Sequence, residues 1–373
     1  MSARDDHRIQ EAHARPITEV ADLLSIGGLK RGGHEMTGPC PKCGGRDRFS
    51  LNVRKNVFNC RRCGGAGDQI KLVEFVLGLS FLAALDWLCG PVQELTPQQR
   101  AAREKEAEKH RRERESEAEH YRKQALLKAK NIWLDCLEPE DTEAREYLVR
   151  RGIPKHLFPF PKSIRFHPAL PYWHGQGHSY IQIHKGPAMV AAVQGPDNRF
   201  RAVHQTWIDL DQPKGKVLLP NPNEPGKFLP SKKVDGIKKG GAIRLRERPL
   251  SGDTLIMAEG IETTLSAFVA DTTGAAFWCG VDLGNMSGQR MLGKGQKFAG
   301  IPDMTDDEAF VPPEWVREMI YIQDGDSEPR LTKAKLLAGC RRAMVKRSGL
   351  SARIVPVPEG KDLNDILMGV GND

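Results

Sequence analysis

Two short cysteine pairs, Cys40-Pro-Lys-Cys43 and Cys60-Arg-Arg-Cys63, constrain this chain more than any other feature. Two cysteines separated by two residues can hold one metal ion from a single turn. The 16 residues between the pairs leave room for a hairpin that closes four thiolates into a tetrahedron. That spacing predicts a structural zinc site on Cys40, Cys43, Cys60 and Cys63. Gly44, Gly45, Gly64 and Gly65 follow the two knuckles, where the backbone turns toward the sulfurs and positive φ is useful. A closed site of this kind shapes a small domain and performs no chemistry, so the catalytic residues have to lie elsewhere.

The other cysteines, Cys89, Cys136, Cys279 and Cys340, are scattered singly, as expected of a reducing cytoplasm. The N-terminal residues lead into no apolar run, so no secretory signal is expected. The most apolar stretch, Leu72 to Cys89, is interrupted by Glu74 and Asp86 and reads as a packed helical pair, with no membrane partner. A net charge of +8 favours a polyanionic partner.

At 373 residues the chain accommodates several domains. Ile17, Val20, Leu23 and Leu24 fall at helical spacing ahead of the cysteines. Residues 30–92 form the expected zinc ribbon, with strands near Phe49–Val53 and Asn56–Cys60. A helix Gln69–Leu77 capped by Asp68 follows, then a second capped by Ser80. Residues 93–137 form a charged helical linker. Glu108–Arg112, Arg111–Glu115 and Glu119–Lys123 are spaced i,i+4, and the helix would be about 50 Å long. Residues 138–250 are rich in Pro, Gly and β-branched residues, with strands expected at Tyr180–His184, Ala188–Gln194 and Val203–Asp209, and form a mixed α/β middle domain ending in a basic loop. Residues 251–373 alternate strand and helix, the pattern of a parallel α/β sheet. The fold class is therefore multidomain α+β.

Ligands of an open parallel sheet bind at the carboxyl ends of its strands. Glu259 follows the first strand of this segment and Asp324-Gly325-Asp326 the third. A D-x-D at a strand end also serves as plain turn residues. Two acidic strand ends in one sheet weigh toward a divalent cation, Mg²⁺ or Mn²⁺. Asp362, in Gly360-Lys-Asp-Leu-Asn-Asp365, is either a helix cap or an outer contributor of charge to that metal. Lys227, Lys232 and Lys233, with Lys238 and Lys239, crowd the basic loop before this domain and suit a triphosphate. In the ribbon, Arg46, Arg48, Arg61 and Arg62 are interleaved with Phe49 and Phe58, a composition that suits single-stranded nucleic acid through phosphate contact and base stacking. The stretch Gly288–Gly295 imitates a phosphate-binding loop but lacks the Ser or Thr that would hold Mg²⁺, and it follows no strand, so no ATP-driven motor is expected.

Together these segments resemble the bacterial and phage DNA primases built on a toprim fold. The resemblance rests on the two C-x-x-C pairs, Gly67-Asp68 opening a helix, Gly226-Lys-Phe-Leu229, Glu259-Gly260, Asp324-x-Asp326 and Gly360-Lys-Asp-Leu-Asn-Asp365. It implies a C-terminal toprim domain with Glu259, Asp324 and Asp326 as catalytic, metal-binding residues. It further implies a single-stranded DNA template read by the ribbon, nucleoside triphosphates as substrates, RNA primers made by two-metal transfer, and a replicative helicase as partner. A compact primase of prophage or plasmid type is the expectation. A toprim nuclease or topoisomerase would use the same carboxylates, and a recombination mediator would bind DNA without catalysis.

Overall fold

The computed structural model of the chain describes residues 6, 8–90, 97–157, 160–175, 180–293, 295–325, 328–358 and 360–369. The chain divides into two compact units, Met1–Arg111 and Arg112–Asp373.

In the first unit, helices α1 (Arg8–Ala14) and α2 (Ile17–Leu23) precede a five-stranded antiparallel sheet of β1 (Lys30–Gly32), β2 (Glu35–Cys40), β3 (Gly44–Asn52), β4 (Val57–Cys60) and β5 (Ala66–Gly67), in sequential order. Helices α3 (Gln69–Leu77) and α4 (Phe81–Cys89) cover it. Both begin as the sequence predicts: the Asp68 side chain accepts from the Lys71 amide at 2.9 Å and Ser80 from the Ala83 amide. Their apolar faces, Ile70, Leu72 and Val73 with Ala84, Leu85 and Leu88, meet Ile17 and Val20 of α2 and Phe49, Leu51 and Phe58 of the sheet. No single helix among the described residues is long and apolar enough to cross a membrane; α3 and α4 pass that test only as a pair bent by 109°.

Helix α5 (Pro97–Leu134) is 38 residues long, about 57 Å at 1.5 Å per residue. Exposed pairs such as Lys123–Glu119, at 2.8 Å, line it.

Among its described residues the second unit holds two large sheets and a two-stranded hairpin. After α6 (Glu143–Arg150), the strands β6 (Ile164–His174), β7 (Ile181–Gln194) and β8 (Phe200–Trp207) form an antiparallel meander. The two-stranded hairpin β9 (Leu219–Pro220) and β10 (Phe228–Leu229) follows, and β11 (Lys232–Gly236) joins the edge of β8. Two expected strands are thus one long β7. The unexpected β6 carries Pro168 and Pro171, which mask its pattern, and its ladder shifts register around Pro168, between His167 and Leu170, and again between Tyr172 and Trp173. The expected basic loop is partly the strand β11.

The second sheet has the order β12-β14-β13-β15-β16, with β12 (Ile243–Arg246) antiparallel at one edge and β13 (Thr254–Ala258), β14 (Ala276–Cys279), β15 (Glu318–Gln323) and β16 (Ser351–Pro356) parallel. Helices α7 (Ile261–Val269), α8 (Leu283–Ser287), α9 (Pro329–Lys346) and α10 (Leu363–Leu367) complete the unit. Phe277 and Cys279 face α7, while Ala276 and Trp278 face Leu336, Cys340 and Ala343 of α9, so alternate residues of one strand serve two cores. The meander is buried on both faces too: Met189, Ala191 and Val193 of β7 join the α6–α7 core, and Ala188 and Val190 meet Ala129 at the end of α5. One core therefore spans the meander and the parallel sheet and fixes the strand ends that carry the carboxylates.

Candidate functional site

The four cysteine sulfurs lie within 4.8 Å of one another. Cys40 Sγ is 3.7 Å from Cys63 Sγ, Cys43 Sγ 3.6 Å from Cys60 Sγ, and Cys63 Sγ 3.1 Å from Cys60 Sγ. A zinc tetrahedron with arms of about 2.3 Å has edges of about 3.8 Å, so the cluster fits the ion with small adjustment. The knuckles turn as anticipated at Gly44, Gly45 and Gly64, with φ of +62°, +92° and +70°. Gly65 is small for another reason: a Cβ there would overlap the Phe75 ring.

The aromatic residues of the ribbon do not do what the sequence led us to expect. Phe49 and Phe58 are buried, with ring centroids 5.7 Å apart, and Phe58 packs on Phe75 at 5.3 Å. They alternate inward on β3 and β4 because a small metal domain has few other residues with which to build a core. Base stacking on these two rings is excluded. Arg46, Arg61 and Arg62 are exposed, and Arg48 is half-buried with Nη1 3.5 Å from the Cys43 carbonyl. The ribbon thus presents charge without aromatic platforms at these positions.

In the second unit, β13 and β15 are neighbours and parallel, with Met257 paired to Tyr321. Glu259 leaves β13 and Asp324 leaves β15 at the same edge of the sheet, on strands about 4.8 Å apart. Both residues are half-buried. Asp326 lies outside the described residues. Gly325 has a steric reason to be glycine. Its amide donates to the Lys361 carbonyl at 2.9 Å, its carbonyl accepts from the Gly360 amide at 2.8 Å, and an added Cβ would overlap the Pro358 carbonyl. Gly360 and Lys361 are thereby held against the Asp324 strand end. Asp362 follows it and caps α10, accepting from the Asp365 amide at 2.6 Å in a reciprocal capping box, with Arg151 3.9 Å away. At the end of β14, Val281 has φ of +73°, an uncommon conformation for a β-branched residue.

Beside this edge lies a group that the sequence reading passed over. Glu262, in the first turn of α7, is 3% exposed. It takes Lys232 on Oε2 and Lys216 on Oε1, each at 2.9 Å, and Tyr147 Oη donates to Oε1. Burial opposes ionisation of the Glu262 carboxyl, but Lys232 and Lys216 outweigh it and hold the group well below the usual carboxylate range. Burial lowers Lys216, while Glu262 keeps Lys232 raised. His204 is fully enclosed nearby, and burial, with Lys232 adding to it, drives its imidazole down to about 3, so it is neutral. An acidic residue three positions after Glu259 was the available signal, but its lysine partners arrive from the connection between β8 and β9 and from β11.

The three lysines expected to act together are separated. Lys227 is exposed and pairs with Glu224 at 2.6 Å. Lys232 and Lys233 are adjacent on β11 and so point to opposite faces. Lys232 reaches Glu262, whereas Lys233 donates to the Trp173 carbonyl and lies 3.9 Å over the Tyr172 ring.

A protein-family model described as a domain of unknown function (DUF7146) matches residues 123–245. The DNA primase of Clostridium acetobutylicum is 21% identical over 373 residues, covering 96% of this chain and 56% of that protein. The DNA primase of Halalkalibacterium halodurans is 22% identical, covering 98% and 58%. The chain thus spans somewhat over half the length of these curated relatives. Among solved structures, the Aquifex aeolicus primase zinc-binding and RNA polymerase domains match with a TM-score of 0.36 at 16% identity, covering 98% of this chain and 82% of that one. The primase fragment of the bacteriophage T7 primase-helicase protein gives 0.32 at 13%, covering 90% and 95%. Along nearly its whole length the chain is similar in sequence to bacterial DNA primases, and its N-terminal unit carries the four-cysteine cluster of a zinc-binding domain.

Proposed function

We propose that this chain is a primase that joins ribonucleoside triphosphates into short RNA primers on single-stranded DNA, with the parallel sheet of a toprim domain carrying the chemistry. The observation that supports it most is the emergence of Glu259 and Asp324 from neighbouring parallel strands at one sheet edge, in a chain similar to DNA primases. Glu259, Asp324 and Asp326 would hold Mg²⁺ or Mn²⁺, hard cations suited to a few carboxylates completed by water and phosphate oxygens. Such ions activate a 3′-hydroxyl and stabilise the pyrophosphate that leaves.

The chain's own residues supply the setting. Lys232 and Lys216 place two cations beside the carboxylate edge, and Glu262 fixes where they stand. Gly325, Gly360 and Lys361 brace the strand end of Asp324, so its carboxylate is positioned before any ligand arrives. The zinc ribbon would read the template through Arg46, Arg61 and Arg62 and phosphate contact.

The test is de novo synthesis of labelled oligonucleotide on single-stranded DNA with all four ribonucleotides and Mg²⁺ or Mn²⁺. The parent should make primers, while Glu259→Ala and Asp324→Ala should lose at least about a hundredfold with unchanged melting. Primer yield surviving Asp324→Ala refutes the assignment. DNA cleavage without primers supports a nuclease, and binding with neither activity supports a mediator.

A further inference from the structure

At the opposite edge of the parallel sheet, where its strands begin, lies a cavity of about 410 Å³. Small-molecule sites span about 300–1,000 Å³. The wall has three contributors from that edge. Arg248 comes just beyond β12, Trp315 from the approach to β15, and Arg347 from the turn between α9 and β16. The turn after β7 closes the cavity with Asn198, and Arg244 and Trp278 form its floor. This is a different place from the edge that carries Glu259 and Asp324.

The lining combines flat aromatic surface with excess cation. Trp278 is buried and meets the half-buried Trp315 edge to face, at 6.2 Å and 72°. Arg244 lies 4.4 Å over Trp278, and Arg248 5.0 Å over Trp315. Arg244 is fastened by Asn198 at 2.7 Å, the Gly195 carbonyl at 2.8 Å and Glu247 at 3.2 Å, yet its Nε is buried without a hydrogen-bond partner. Arg347 gives Nε to the Pro312 carbonyl at 2.8 Å, so its outer guanidinium edge is held in a fixed direction. Arg248 makes no hydrogen bond or ion pair among the described residues. Against these three guanidinium groups the lining sets one carboxylate, the exposed Glu314.

Arg248, exposed and with no hydrogen bond or ion pair among the described residues, keeps its guanidinium edge free for a ligand while its plane covers Trp315. Indole and guanidinium planes stack on flat π systems, and guanidinium edges take phosphate in a bidentate grip. An acidic peptide would use the charges but lay nothing planar against the stacked Trp315–Arg248 pair. The ligand that uses both is a nucleotide.

We propose that this cavity binds a nucleotide, its base stacked against the Trp315–Arg248 pair and its phosphate on Arg347, either as a free mononucleotide or as one residue of a single strand. This site is additional to the carboxylate edge and does not depend on polymerase activity.

Calorimetric titration of ADP and of an oligothymidylate into the full zinc-loaded chain, with no added Mg²⁺ or Mn²⁺ and no chelator, tests it. At least one probe should bind the parent, and Arg248→Glu and Trp315→Leu should each weaken that probe about tenfold or more. Arg248 is exposed, so its variant should melt with the parent and serve if Trp315→Leu does not fold. Binding of ADP identifies the free nucleotide as the source, and binding of the strand alone identifies nucleic acid. Failure of both probes at millimolar concentration, or equal affinity in the parent and Arg248→Glu, overturns the proposal. A parent that binds ADP here but makes no primers would sink only the polymerase reading.

Discussion

Replacing Glu262 with glutamine probes the buried charge cluster with almost no change in shape. The amide oxygen can still accept from Tyr147, but Lys216 and Lys232 lose their counter-charge. Breaking a buried ion pair from one side costs about 3–5 kcal/mol, because the remaining charge is left uncompensated. Lys216 and Lys232 retain 21% and 32% exposure, so each can reach some water. That relief places the expected loss near the lower bound, about 3 kcal/mol. For a unit of this size the loss corresponds to a fall of roughly 6–12 °C in melting temperature. Urea and thermal unfolding of Glu262→Gln beside the parent measure it.

The pH dependence gives a second reading of the same cluster. The Glu262 carboxyl is depressed in the folded chain, so its contribution is complete above its ordinary value of about 4.5. It is lost as pH falls through the folded value. The gap between parent and variant should therefore narrow on acidification. Adding Lys216→Met to Glu262→Gln should recover part of the loss by removing one unpaired cation. A gap below about 1 kcal/mol at neutral pH, or one that widens in acid, would refute the reasoning.

Phe58→Ala should destabilise the N-terminal unit by about 3–5 kcal/mol, since the ring is buried against Phe49 and Phe75; denaturant unfolding of a fragment-independent probe, such as hydrogen exchange on β3 and β4, reports it. Chelation of zinc, or Cys60→Ser, should release one equivalent of metal by elemental analysis and collapse protection in the same strands, leaving the parallel sheet protected. Arg342→Met should raise limited proteolysis near Gln289 and Asp303, because the buried guanidinium donates to the carbonyls of Ser287, Gln289 and Asp303.

The parts legible in the sequence were those with local rules. The cysteine spacing, the Asp68 and Ser80 caps, the charged helix and the strand–helix rhythm after residue 253 depend on neighbours within a few positions, and each forms as its pattern indicates. Where the pattern was ambiguous, the fold resolved it. Phe49 and Phe58 are interleaved with arginines in a way that suits either stacking or core, and the two-residue period of the strands turned them inward. Lys232 and Lys233 look like one basic patch on paper, but the same period sends them to opposite faces. Strand β6 hid behind its prolines, and β11 behind a stretch of lysines that reads as loop.

Sequence alone determined which residue types could do chemistry: four thiolates at metal spacing, and acidic residues closing two buried strands. It could not say that these strands are immediate neighbours, which is what brings Glu259 and Asp324 together at one edge. Nor could it join Tyr147, Lys216, Lys232 and Glu262, which come from three elements and a loop far apart in the chain, or line one cavity with Arg248, Trp315 and Arg347. Those groupings arise from strand order and shared core packing, long-range choices made by burial of apolar surface. No periodicity within a short stretch of chain encodes them.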